Sequence, residues 1–236
     1  MPTFLILLSI LSLTLPTLYI IYRPPPALIS YLQRRWPDIL FHIPTQKKIL
    51  ALTIDDAPSS NTPEIHQILN TYGAKATFFV IGSHIAGHED TLRELVANGH
   101  ELANHAMRDE PSFRLPQDEL TRQIRSVEAQ IKQIYGPRGS PPRYFRPGSG
   151  FFNTAMRKTM SILDYRLVLG SIYPHDAQVS QWKLNAMHIL SMTRPGGIII
   201  CHDRQWAPPM LRVVLPELAR RGYRIVTVTE LLSETA

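Results

Sequence analysis

The 236-residue chain is 44% hydrophobic and carries 25 basic against 19 acidic residues, a formal net charge of +6. That is long and apolar enough for one barrel-sized domain or two small ones, so no small-scaffold device is needed to hold it. A single cysteine, Cys201, excludes an intramolecular disulfide and a thiolate metal cage. The lysines and arginines are scattered, with no run longer than a pair such as Arg34-Arg35 and no aromatic interleaving, so no nucleic-acid partner is expected.

The chain opens with FLILLSILSLTLPTLYIIY, residues 4–22, which are 19 residues without a charge. This length suits a bilayer-crossing helix and exceeds a usual signal-peptide core, so residues 1–22 read as an uncleaved membrane anchor or signal. Arg23, Arg34 and Arg35 follow it and by charge bias alone would hold the rest of the chain in the cytosol. Residues 23–44, with Pro24-Pro25-Pro26, read as a stiff linker. The remaining residues 45–236 form the expected globular domain.

From Lys48 onward, short apolar runs alternate with amphipathic stretches, the pattern of strand-and-helix units. Strands are expected near 49–54, 76–81, 99–103, 143–146, 165–170, 197–202 and 223–228, with helices between. The clearest helix is 117–135, where Leu120, Ile124, Val127, Ile131 and Ile134 line one face. Leu211, Val214, Leu215 and Leu218 do the same in the last long helix, introduced by Pro208-Pro209 and ended by Gly222. About seven such units imply one α/β domain, a distorted (β/α) barrel, with no internal repeat.

In such a barrel the loops after the strands share one face, and the polar residues of this chain gather there. Asp55 and Asp56 end the first strand, Asn104 and His105 follow the third, Arg146 ends the fourth, His175 and Asp176 follow the fifth, and His202 and Asp203 end the sixth. Adjacent carboxylates raise each other's ionisation cost, which a shared cation would relieve. His105 and Asp109 are four apart, so one helical turn would aim both at one point. With Asp56 they make a three-ligand set of a kind that leaves a position open for water. Arg146 could clamp a carboxylate bidentately. His202, delivered by three isoleucines, could act as a general acid, with Asp176 or Asp203 holding its tautomer. His66, His84, His88 and His188 read as ordinary surface residues, His100 as structural, His175 as a possible substrate contact and Cys201 as an apolar strand residue.

TIDDAP, NHAMRD, FRPGSG, YPHD and IICHD, in that order and spacing, resemble the five motifs of the polysaccharide deacetylase family, carbohydrate esterase family 4, chitin deacetylases included. The resemblance spans about residues 48–232. It implies a distorted barrel and metal-dependent hydrolysis of acetyl groups on glycans, with Zn the expected ion and Co, Mn or Mg as alternatives. Position by position, Asp55 resembles the catalytic base, Asp56 and His105 metal ligands, and Arg146 the residue tethering the base. Asp176 resembles the partner tuning the acid and His202 the acid itself, while Pro147 and Ile200 match positions lining the substrate and acetyl pocket.

The sequence departs from the family pattern in several places. Asp109 stands where the third ligand is usually His, Ala106 where Ser or Thr is usual, Ala57 where Gly is usual, and Ala177 where a Trp is common. The implied activity is removal of N-acetyl groups from N-acetylglucosamine-containing glycan, chitin or its oligomers first. Hydrolysis of small amides or O-acetyl esters, and a catalytically silent glycan-binding module, are the alternatives. The glycan substrate outweighs the charge bias and places the domain outside the cytosol, as an anchored or secreted monomer.

Overall fold

The computed structural model describes residues 12, 14–137 and 139–234. Eight strands form one parallel sheet: β1 (Ile39–Leu40), β2 (Ile49–Ala57), β3 (Ala76–Val80), β4 (Glu101–Asn104), β5 (Tyr144–Phe145), β6 (Arg166–Val168), β7 (Ile198–His202) and β8 (Arg224–Val226). Their order is β1-β6-β5-β4-β3-β2-β7, with β8 paired to β2. Ala51 pairs with Ile198 and also with Val226, so β8 lies opposite β7 and shares an edge of β2 with β3. Single bridges, His42 to Gly197 and Ile172 to Ile199, tie the β1–β6 side back to β7 and nearly close the ring. The expected distorted barrel is present.

Strand parity separates two cores. Leu50, Leu52 and Ile54 of β2, with Phe78, Leu102, Ile199 and Cys201, point outward against the helices. Ile49 and Ala51 point inward with Phe79, Ala103, Val168, Ile198 and Val226. Both faces are buried, which is why β2 is uninterrupted by exposed residues over its nine positions. The inward parity continues into the mouth as Asp55 on β2, His105 just past β4 and His202 on β7.

The helices follow from their apolar stripes. They are α1 (Pro26–Arg35), α2 (Thr62–Thr71), α3 (Glu89–Ala97), α4 (Gln117–Tyr135), α5 (Thr154–Ile162), α6 (Trp182–Met192), α7 (Ala207–Arg220) and α8 (Val228–Ser233). Helix α4 has the expected bounds, and Leu120, Ile124, Val127, Ile131 and Ile134 are all buried. Leu211, Val214, Leu215 and Leu218 of α7 are buried as expected, with Pro216 accommodated inside the helix.

The linker reading of 23–44 needs correction. Pro26 opens α1 at its first position, where the missing N–H costs nothing. Ile29, Ile39 and Phe41 then join a buried cluster with Leu120, Ile124 and Phe145. The compact unit therefore begins before residue 45. Most of the anchor expected over 1–22, residues 1–11 and 13, lies outside the described residues. Residues 14–22 are helical and exposed, and among the described residues no helix is long and apolar enough to cross a membrane.

Candidate active site

Successive strand residues face opposite ways, so Asp55 and Asp56 would point to opposite sides of a regular β2. The strand avoids this. Its register with β3 shifts between Ile54 and Ala57, and Asp56 takes a left-handed φ of 63°. A bulge of this kind re-aims a side chain, and here it turns the second carboxylate into the mouth beside the first.

Each aspartate has its own cation. Arg146, 3% exposed, donates from Nη1 to Asp55 Oδ1 at 2.5 Å and to Thr53 Oγ1 at 2.7 Å, and from Nε to the Val168 carbonyl at 2.9 Å. Its guanidinium lies 4.1 Å from the Phe79 ring centre. The expected bidentate clamp is therefore a single contact from Nη1, with Nε held by the barrel wall and Nη2 buried without a hydrogen-bond partner among the described residues. That anchoring fixes where Asp55 sits.

Asp56 is flanked by His105, whose Nε2 is 3.5 Å from Oδ1, and by Arg204, whose Nη2 donates to Oδ2 at 2.6 Å. Burial pushes the Asp56 carboxyl up, but the His105 hydrogen bond and the positive charges of His105, His202 and Arg204 outweigh it and hold it at about 2. His105 Nδ1 donates to the Arg146 carbonyl at 2.7 Å. That bond leaves Nε2 free to serve as a ligand atom, the support commonly given to a metal-binding histidine.

Ligand atoms of Asp56, His105 and Asp109 lie within 4.8 Å of one another, the first two buried and Asp109 exposed. One neutral-capable imidazole and two carboxylates suit a divalent ion that tolerates nitrogen and oxygen donors. The helical turn expected to join His105 and Asp109 is absent. The loop turns instead through Ala106 at φ 64°, and its backbone is held by side chains. Asn104 Oδ1 accepts from the Ala106 N–H at 2.9 Å and Gln123 Oε1 from the Met107 N–H at 3.1 Å. Gln123 Nε2 in turn donates to Glu110 at 3.0 Å.

Across the mouth, Asp176 is fully buried and grips one residue twice. Its Oδ2 accepts from the His202 backbone N–H at 2.8 Å and its Oδ1 from His202 Nδ1 at 2.9 Å. This sets the tautomer and leaves Nε2 for the mouth. Burial pulls the imidazole pKa down, but the Asp176 hydrogen bond and the charges of Asp176, Asp55 and Asp56 raise it to about 9. Asp203, the other candidate partner, instead accepts from Ser59 Oγ at 2.7 Å and from Thr62 Oγ1, tying β7 to the start of α2.

Further placements refine the sequence reading. Pro147 is buried and Ile200 half-buried, the latter facing inward between Ile198 and His202. His175 gives its Nε2 to the Tyr22 carbonyl at 3.0 Å and packs between Tyr22 and Tyr173, so its ring is engaged by protein rather than offered to substrate. His66 and His188, expected at the surface, are buried. His66 bonds Asn70 at 2.8 Å, and His188 packs edge-on to Tyr22. His100 is structural, its Nδ1 accepting from the Ala76 N–H at 3.1 Å. Cys201 is buried, and burial pushes its thiol pKa up.

Two site residues had escaped the sequence reading. His84 donates from Nδ1 to the Asp56 carbonyl at 3.1 Å, and Arg204 meets its side chain. Arg204 directly follows the His202-Asp203 pair, which was the available signal.

The nearly closed parallel barrel gathers the Asp55–Arg146 pair, the His202–Asp176 pair and the candidate ligands Asp56, His105 and Asp109 at one mouth, an arrangement suited to hydrolysis. A sequence profile described as polysaccharide deacetylase matches residues 42–168. A peptidoglycan-N-acetylglucosamine deacetylase of Bacillus cereus is 31% identical over 82% of this chain and 92% of its own length. A chitooligosaccharide deacetylase of Bradyrhizobium is 28% identical over 76% of this chain and 89% of its own.

Among solved structures, the peptidoglycan deacetylase PdaC of Bacillus subtilis superposes with a TM-score of 0.73 at 28% identity, covering 80% of this chain and 91% of that one. A family pseudoenzyme of Bacillus anthracis gives 0.74 at 23% identity, covering 81% and 68%, and shows the fold alone. The chain belongs to the polysaccharide deacetylase family, carbohydrate esterase family 4.

Proposed function

We propose that the protein hydrolyses N-acetyl groups on N-acetylglucosamine units of a glycan, using Asp55 as base and His202 as acid. The observation that carries this reading is that Asp55–Arg146 and His202–Asp176 sit on paired strands, Asp55 in register with His202, beside the Asp56, His105 and Asp109 set. These three residues would hold a divalent ion, Zn first with Co, Mn or Mg as alternatives. The ion supplies polarisation of the attacking water and the acetyl carbonyl.

The chain's own groups do the remaining work. Asp55, fixed by Arg146, accepts the proton of the attacking water. His202 Nε2, protonated because Asp176 stabilises the imidazolium, donates to the departing amine. Ile200 offers an apolar wall to the acetyl methyl, and Pro147 borders the same mouth. Arg146 and Asp176 act through their partners and are positioning residues.

The relatives' names point to two glycans, peptidoglycan strands and chitin oligosaccharides. Exposed Ala177 leaves the mouth open on one side and favours a polymer over a small amide. The test is acetate release from chitin oligosaccharides, peptidoglycan and an O-acetylated xylan offered in parallel. Release from the N-acetylated glycans supports the reading. Release from the ester alone replaces it with esterase activity, and binding without release makes the chain a glycan-binding module.

The uncharged run at 4–22 is proposed to anchor a monomeric domain on the outer side of a membrane, where such glycans lie. Protease digestion of intact cells or spheroplasts should remove the domain. Protection until permeabilisation would contradict that placement.

A further inference from the structure

The two mouth aspartates divide two arginines between them. Arg146 is buried and serves Asp55, whereas Arg204 is 38% exposed at its side chain and serves Asp56. Only the arginine end of this pair is open to solvent, while Asp56 is 3% exposed, so Arg204 acts on the buried carboxylate rather than on the packing of the fold. Its backbone is already fixed without the side chain, since the Arg204 N–H donates to the His202 carbonyl at 2.8 Å and its carbonyl accepts from Ala207 at 2.9 Å. The side chain then crosses from the end of β7 to the end of β2 and meets one oxygen only.

That oxygen is Oδ2, and the other oxygen of Asp56, Oδ1, faces His105 Nε2. The candidate ligand set carries two carboxylates and one imidazole. Two full negative charges against a divalent ion would spend the ion's charge on its own ligands and leave less to act on substrate. Among the described residues, the side-chain cations paired with Asp56 are His105, itself a candidate ligand, and Arg204.

Resting on the deacetylase reading, we infer that Arg204 is a charge-balancing positioning residue of the metal site. It pins Oδ2 so that Asp56 presents Oδ1 alone to the ion, and it offsets one of the two carboxylate charges. The site thereby binds its ion less tightly than its ligand set would dictate and keeps the ion electrophilic. The anionic ligand Asp109 is tolerated because Arg204 faces its partner carboxylate.

The test is calorimetric titration of the metal-free full-length protein in detergent with Zn or Co, for wild type, Arg204→Met and Arg204→Lys. Removing the cation should tighten ion binding by about tenfold, the half-exposed position screening what would otherwise be larger. Arg204→Lys should restore the dissociation constant to within about threefold of wild type, because it keeps the charge at the cost of fork geometry. The thermal unfolding temperature of the metal-free variants should fall by less than in Arg146→Met, because Asp56 keeps His105 as a second cation.

A dissociation constant that is equal or weaker in Arg204→Met, with wild type binding normally, overturns this inference and leaves the deacetylase reading standing. Absence of ion binding by wild type overturns both.

Discussion

Replacing Asp176 by Asn should move the proton on His202 and little else in the mouth. Asn keeps a carbonyl oxygen for the His202 backbone N–H but loses the charge that, with its hydrogen bond and the charges of Asp55 and Asp56, lifts the imidazole against burial to about 9. The ordinary histidine value is 6.5. Each factor of ten in a proton equilibrium is about 1.4 kcal/mol, so the interval corresponds to about 3 kcal/mol of imidazolium stabilisation. Asp55 and Asp56 carry part of that interval and remain in the variant, so at about pH 8 the loss of protonated acid is at most about thirtyfold.

The assay has two parts. Titration of the metal-free protein by NMR should give His202 near 9 in wild type and clearly lower in Asp176→Asn. Acetate release as a function of pH, compared between wild type and variant under one metal loading, should show the alkaline limb moving down by a similar interval. Because the folded pKa is raised, the associated stability is fully present below about 6.5 and is lost as pH rises through about 9. The variant should therefore lose this part of the pH dependence of unfolding. An unmoved His202 titration, in a variant with native circular dichroism, would refute the reasoning.

Arg146→Met strands a buried carboxylate at Asp55, and such a loss should destabilise the fold by about 3–5 kcal/mol in urea denaturation. Adding Asp55→Asn to it should recover part of that, whereas strictly additive losses would argue against a coupled pair. A Cβ at Gly148 would stand 2.1 Å from the Glu110 carbonyl oxygen, in the loop that carries Asp109. Gly148→Ala should therefore weaken ion binding in calorimetry more than it perturbs circular dichroism, and unchanged affinity would show the loop free to shift. Asp203→Asn should lower thermal stability while leaving the His202 titration near wild type, since Asp203 grips Ser59 and Thr62 rather than the acid.

The barrel was legible because its strands are short apolar runs and its helices keep a sharp stripe, as in Gln117–Tyr135. The first strand was missed because Ile39–Leu40 is only two residues long and follows a proline-rich stretch that reads as linker. Its place beside β6 is a tertiary fact. Candidate groups at the mouth were found because polar residues at strand ends break strong apolar patterns.

What the sequence left open was conformation. No local rule shows that β2 bulges at Asp56, that Ala106 turns left-handed in place of a helix, or that Asp176 rather than Asp203 reaches His202. Arg204 was missed although it directly follows His202 and Asp203, since its partner Asp56 lies on another strand and its spacing carries no period.

The most direct measurement is acetate release from N-acetylglucosamine oligosaccharides by wild type and Asp55→Asn, each after chelation and after restoring Zn, Co, Mn or Mg. The account predicts release that chelation abolishes and one of these ions restores in wild type, with none from Asp55→Asn although it still binds the ion. Release that survives both chelation and the loss of Asp55 would contradict it.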